Sequence, residues 1–520
     1  MSGNQSTECK MCKQTKKELS DEDNIKNRRK RTNLNRSRLK AGHSLKVKDE
    51  RDKQKQIARD IARNITDYCK ENNIHYEDRG FPASNAPKQD EERWIRIDQI
   101  EDNSCRGKGP WKIFKNPSPD DAIQGAAENC WFLCAVSLLS QKKELLKDIF
   151  ITESFCEEGL YQVRLCKDGN WKTVIVDDRF PCDEKGYLKY SRSQNKQLWV
   201  MLLEKAAAKL YGGYEALYSG LVVESLTMLT GEPCEHIDLK GSDEEKEDDN
   251  KLKLDLDKLW TELKAWHSSR YFNSLSVCKT DEGWFESRFK GVFPPILSEE
   301  WKYYSFRLVN DTKLKLGLFQ ESMRGTGLKI EAFTDLLIMV LRNQDDGSGH
   351  PFMTAPLFSE VMSYSKRRAR SLTTCNVDLT QGSYTVACFS FGKLRQDNNF
   401  EAEDYVSYTL SIHSSVQLHF VEEVNASSFA ELMYASADAL ITLAKQSKIK
   451  ENGVKISDID AFNIADGVYY VKFRFYGQMC VFINETTEGY SYLRNYGDSE
   501  YILDVRNRRN TLDYIPPKSG

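Results

Sequence analysis

The segment Glu128 to Leu139 (ENCWFLCAVSLL) constrains this chain more than any other, because it is apolar nearly all round. A helix without a polar face has to be enclosed on every side, so a core must be built around it. Its flanks carry turn-forming residues, among them Asn116 to Pro119 (NPSP) upstream. A cysteine, Cys130, stands at its start. The partial positive charge of a helix N-terminus favours thiolate, so that placement suits an attacking sulfur. Gln124, six residues earlier, could offer an amide donor to a developing oxyanion. On residues alone, an inert buried thiol is the competing reading.

Around that helix, Tyr161 to Cys166 and Trp171 to Val176 alternate as strands, and Asp168-Gly169 between them marks a hairpin turn. Leu198 to Tyr211 reads as a second helix with Trp199, Leu202, Leu203, Ala206 and Ala207 on its apolar side. Trp94 and Trp111 fall in polar, Pro-containing stretches that read as loops. From about residue 284 to 420 the texture changes to short alternating segments, such as Tyr304 to Val309, Leu314 to Phe319 and Ser383 to Ser390. That texture predicts a β-sandwich. The remaining 421–520 mix a predicted helix (Phe429 to Gln446) with strands (Val468 to Phe475, Met479 to Ile483), an α+β module.

Residues 1–72 differ from the rest. Lys26 to Lys48 holds ten basic residues and no Asp or Glu, without apolar periodicity, and reads as a solvated segment. Asp49 to Lys70 then reads as a polar helix with Ile57, Ile61, Ile65 and Tyr68 at helical spacing, a docking stripe. Seventy-five basic against seventy-eight acidic residues leave a net charge of -3, which excludes a globally basic nucleic-acid binder and leaves only a local basic patch, Lys26 to Arg31. The apolar runs are about half the roughly 20 residues a membrane helix needs. The polar start MSGNQSTECK carries no signal-peptide core, so the fourteen cysteines are expected as reduced thiols and the address as cytoplasmic or nuclear.

Gln124 to Leu133 (QGAAENCWFL) resembles the cysteine motif of calpains, Gln-Gly-x-x-Gly-Asp/Asn-Cys-Trp-Phe/Leu-Leu. The resemblance continues through Val174 to Pro181 (VIVDDRFP), Leu198 to Ala206 (LWVMLLEKA), Gly213 to Leu217 (GYEAL) and Glu224 to Gly231 (ESLTMLTG). Arg270 to Lys279, Leu318 to Ser322 and Tyr408 to Ser415 are similar to segments C-terminal to the protease core in the small optic lobes calpains. The resemblance implies an α+β multidomain protein: a papain-like protease core, a β-sandwich-like domain and a C-terminal α+β module. It divides the chain into a basic segment (1–72), the nucleophile lobe (73–235), a remnant of the second lobe (236–283), the sandwich (284–420) and a module like the small optic lobes homology region (421–520). It implies proteolysis of protein substrates, with Cys130 as nucleophile and Gln124 at the oxyanion hole. Glu128 stands where the family has Gly, a side chain expected to crowd the turn.

A thiol protease also needs an imidazole to take the sulfur's proton and a third group to orient that ring. In calpains these lie in His-Ala-Tyr and Asn-Pro-Trp-Gly settings, and neither occurs here. The seven histidines are His43, His75, His236, His267, His350, His413 and His419, none before Ala-Tyr, and Asn343 is followed by Gln344. His267 lies 137 residues after Cys130, within the roughly 130–150 of papain-type enzymes, but Ala265 to Phe272 resembles the family segment that lies beyond the catalytic Asn. The economical reading is an internal deletion joined between about Thr261 and Ser269, as a splice form, a faulty gene model or a true loss would each leave. Other readings are a non-catalytic interaction or regulatory protein and, as a minor one, nucleic-acid binding by the basic arm.

For metals, the resemblance places a calcium ligand at Asp121 but puts Gln197 where a Glu is expected, so a calcium cofactor is doubtful. Cys9 and Cys12 have zinc-knuckle spacing without two further ligands nearby, an idle pair by the simplest reading.

Overall fold

The computed structural model describes residues 41–42, 45–81, 93–100, 109–238, 274–277, 284–293, 301–325, 333–344, 358–390, 406–418 and 421–426, and from there 436, 439–443, 459–473, 480–488, 490–495 and 510–515. The basic segment Lys26 to Lys40, the charge run at 243–249, the expected join at 261–269 and most of the expected helix 429–446 lie outside them.

Helix α1 (Val47–Glu71) lies against the surface that carries Asp148 and Arg164, but not by the expected stripe. Ile57, Ile61 and Tyr68 are exposed, and only Ile65 is half-buried. The packed face carries Lys55, Ala58 and Cys69 instead. Arg51 and Lys55 pair with Asp148, and Arg164 Nε donates to Gln54 Oε1 at 3.1 Å. Small and polar residues let the helix come close where the neighbouring surface offers carboxylates rather than an apolar groove. Part of the basic run is also ordered by pairing: Ala41–Gly42 and Leu45–Lys46 extend the edges of two sheets.

Helix α2 (Cys130–Ser140) stands inside the first core, with α3 (Lys143–Ile149) after it. The strands Leu160–Lys167 and Asn170–Asp177 pair antiparallel across a two-residue turn. Asp168 (φ 50°) and Gly169 (φ 72°) both take positive φ, as the twist of a tight hairpin requires. Helix α4 (Trp199–Tyr211) buries Trp199 to Ala208, and α5 (Val222–Thr230) completes the cluster. Trp94 is not in a loop: it sits in the strand Arg93–Arg96, paired with Arg179–Cys182. That pairing is anchored by Lys205, fully buried, whose ammonium reaches Asp177 and the carbonyl of Arg179. Burial pushes the Lys205 pKa down, while the ion pair carries Asp177 below its ordinary value despite its own burial.

Two antiparallel sheets share the second core. One runs Ala41–Gly42, Val421–Ala426, Trp301–Leu308, Gly382–Phe389, Asp335–Asn343, Phe358–Tyr364, and the other Leu372–Leu379, Thr312–Gln320, Val406–Ser414, Phe285–Phe293, Leu45–Lys46. Val421–Ala426, placed in the last module on texture, is a strand of the first sheet. The strands Ile459–Ala465, Val468–Phe473 and Cys480–Asn484 form a separate sheet whose Val471, Phe473 and Ile483 join this core. Where the sheets meet the elements of the first core, Arg288 donates to the carbonyls of Gly169 (2.6 Å) and Gly231 (2.7 Å) and pairs with Glu286.

Candidate active site

Helix α2 begins at Cys130. Trp131, Phe132, Leu133, Ala135, Val136 and Leu139 are buried, but Cys130 and Cys134, one turn apart, are exposed free thiols. The helix is therefore not enclosed on every side, as its composition suggested. The face without large apolar side chains is open, and it carries the sulfur.

The loop leading into it is fixed by close backbone approach. A Cβ on Gly125 would lie 2.1 Å from the carbonyl oxygen of Tyr190, so only glycine fits, and Ala126 N–H donates to Lys189 O at 2.8 Å. Gln124 is exposed, and its Nε2 donates to Ala127 O at 2.9 Å. A carboxamide nitrogen carries two hydrogens, so one remains for an oxyanion. Glu128 does not crowd the turn: its side chain is exposed, and its carbonyl accepts from Ser219 N–H at 3.1 Å.

Asn129 occupies the cap position yet makes no side-chain cap hydrogen bond. Its Nδ2 donates instead to Glu204 Oε1 at 2.6 Å, and Glu204 Oε2 accepts from Ser191 N–H at 3.0 Å. Glu204 is 1% exposed, and burial pushes its pKa up to about 7. The helix N-terminus is thus left without a side-chain oxygen over it, and its partial positive charge faces the exposed Cys130 sulfur. Neither Glu204 nor the anchoring of Trp131, whose Nε1 donates to Leu217 O at 2.8 Å, was anticipated from sequence. A signal existed for the first: Glu204 and Lys205 are adjacent charges in an otherwise apolar helical stretch.

No hydrogen bond joins Cys130 to a histidine among the described residues. His75 is exposed, and His413 is buried in the strand Val406–Ser414, where desolvation lowers its pKa to about 4 and keeps it neutral. His43, His267, His350 and His419 lie outside the described residues, and of His236 only the backbone is described. Asn343, in a sheet strand, accepts from the Thr385 hydroxyl at 2.8 Å.

The residues present do not fit a calcium ion at Asp121 and Gln197. Asp121 is buried with Oδ2 accepting from Ser118 N–H at 2.8 Å in a capping box, and Gln197 Oε1 accepts from Lys115 N–H at 2.7 Å. The Lys115 ammonium is pushed below its ordinary pKa by burial and then by Lys112 and Lys196, so cations already crowd this region. Among the described residues no three His, Cys, Asp or Glu side chains cluster as metal ligands, and Cys9 and Cys12 lie outside them.

An exposed thiol stands at the start of a helix, with a carboxamide in the preceding loop. Residues 69–291 match the family model described as calpain family cysteine protease. It is 37% identical over 171 residues to Calpain-type cysteine protease DEK1 of Arabidopsis thaliana, covering 33% of this chain and 8% of that protein. Calpain clp-1 of Caenorhabditis elegans is 34% identical over 190 residues, 34% of this chain and 23% of that protein. Calpain-A of Drosophila melanogaster is 36% identical over 186 residues, 34% of this chain and 22% of that protein. The chain thus spans less than a quarter of the length of each of these relatives.

Proposed function

We propose that this chain is a calpain-like cysteine endopeptidase by descent, of the small optic lobes type, whose thiol is reactive but whose peptidase activity is absent or impaired. Cys130 is the nucleophile and Gln124 the oxyanion donor of a first lobe at 73–235, with 236–283 the remnant of a second. The sandwich, which begins at about 284 and takes in the strand Val421–Ala426, and the α+β module after it complete the domain reading. The observation that carries it is the pairing of an exposed thiol at an uncapped helix N-terminus with a sequence that has neither the His-Ala-Tyr nor the Asn-Pro-Trp setting. Such a site can form a bond to sulfur, but amide cleavage also needs a proton delivered to the leaving nitrogen.

Protein substrates or partners are the ligands, nucleic acid is not, and calcium is not required. No described helix is long and apolar enough to cross a membrane; a cytoplasmic or nuclear address is part of the proposal. The test is capture of a peptidyl epoxide by the full chain, read by intact mass. One adduct, absent in Cys130→Ala, is expected; no adduct on Cys130 would sink the reading. The second reading, a non-catalytic interaction protein, is favoured by the exposure of Tyr218 and Leu221 beside the loop that holds Trp131.

A further inference from the structure

Resting on the reading of Cys130 as nucleophile, we propose that Arg324 is a positioning residue through which the two-sheet domain sets the reactivity of that thiol. Arg324 lies beyond the strand Thr312–Gln320, outside the first lobe, yet its guanidinium sits over the Trp131 ring at 4.2 Å from the centroid. One of its terminal nitrogens donates to Ala216 O (2.9 Å) and Ser219 O (2.8 Å), and the other pairs with Glu224 at 2.5 Å. The contacts hold both flanks of Cys130. Trp131 is the residue after it, and Ser219, gripped by its carbonyl, donates its own N–H to Glu128 O two residues before it.

The arm carrying Arg324 is itself fixed. Ser322 N–H donates to Asp168 Oδ1 at 3.0 Å in the first-lobe hairpin, and Arg324 N–H donates to the Ser322 hydroxyl at 3.2 Å. Gly325 (φ +77°) lies so close to Tyr211 O that an added Cβ would come within 2.0 Å of it. A planar fork that stacks on a ring while bonding two carbonyls and a carboxylate is a geometry lysine cannot reproduce. Holding the first turn of α2 keeps the helix N-terminus and the sulfur in a fixed relation, and so sets the reactivity of the thiol.

The test compares iodoacetamide labelling rates at Cys130 and Cys134 in the full chain from pH 6 to 10, by peptide mass spectrometry. In wild type Cys130 should label faster than Cys134 at pH 7. Arg324→Ala should slow Cys130 about tenfold at pH 7 and change the shape of its labelling profile across the pH range. Cys134 should keep its rate. Arg324→Lys, which keeps the charge but loses the fork, should show the same loss. Glu224→Gln, which leaves Trp131 and the arm in place, should show a smaller one and serves if Arg324→Ala does not fold. An unchanged Cys130 rate in these variants, or equal slowing of both thiols, overturns the proposal. A wild-type Cys130 no faster than Cys134 overturns the nucleophile reading, and this one with it.

Discussion

The Asn129 side-chain amide donates to the Glu204 carboxyl group at 2.6 Å, and the other group bonded to that carboxyl among the described residues is the neutral Ser191. A buried carboxyl without a cation keeps its proton to unusually high pH. Because its folded pKa of about 7 stands above the ordinary 4.5, its contribution to stability is complete below about 4.5. That contribution is lost as pH rises through about 7, a fall of at most about 3 kcal/mol. Melting curves from pH 4.5 to 8 should show the loss in wild type and a flatter profile in Glu204→Gln. Parallel curves would show that Glu204 is not the titrating group.

Trp131 is 4% exposed, bonded through Nε1 to Leu217 O and covered by Arg324. Trp131→Ala should therefore cost roughly 3–5 kcal/mol, as large core truncations do. Cys130→Ser changes one exposed atom and should be close to neutral. Denaturant melts of the two variants give both values, and a neutral Trp131→Ala would mean that α2 is not packed as described.

Arg288 ties the sheets to the first core through the carbonyls of Gly169 and Gly231, with Glu286 of its own strand as its ion-pair partner. Arg288→Met leaves those acceptors without their donor and Glu286 without its partner, a cost of about 3–5 kcal/mol for a broken buried pair. Calorimetry should then split one unfolding transition into two. A single unshifted transition would count against the seam's importance.

Tyr218 and Leu221 are 47% and 41% exposed beside Ser219 and Gly220, which contact Glu128 and Trp131. Apolar surface next to an open thiol face favours association. Light scattering should show self-association that Tyr218→Ser with Leu221→Ser reduces, and ANS fluorescence should fall with it. A monomeric wild type that leaves ANS dark would contradict this.

The elements that carry the site were legible in the sequence because their patterns are local. Helix α2, the hairpin at Asp168-Gly169 and helix α4 each follow from periodicity or turn chemistry within about a dozen residues. What failed depended on distant partners. The Ile57, Ile61 and Tyr68 stripe has helical spacing, but Asp148, almost a hundred residues on, draws the opposite face inward. Trp94 reads as loop because its strand exists only by pairing with Arg179–Cys182. Cys134 reads as core because spacing cannot reveal which face of an apolar helix lacks a neighbour. The grip of Arg324 on Trp131 spans two regions of the chain and has no local pattern at all.

The most direct measurement is peptide turnover by the purified full chain, using casein and a fluorogenic peptide, with and without calcium. Cys130→Ala and His267→Ala serve beside wild type. A thiol that captures electrophiles but has no imidazole to protonate the leaving amine should give no cleavage above the Cys130→Ala background, in either condition. Calcium-independent cleavage abolished by both substitutions would contradict that result, making His267 the base and the deletion reading wrong.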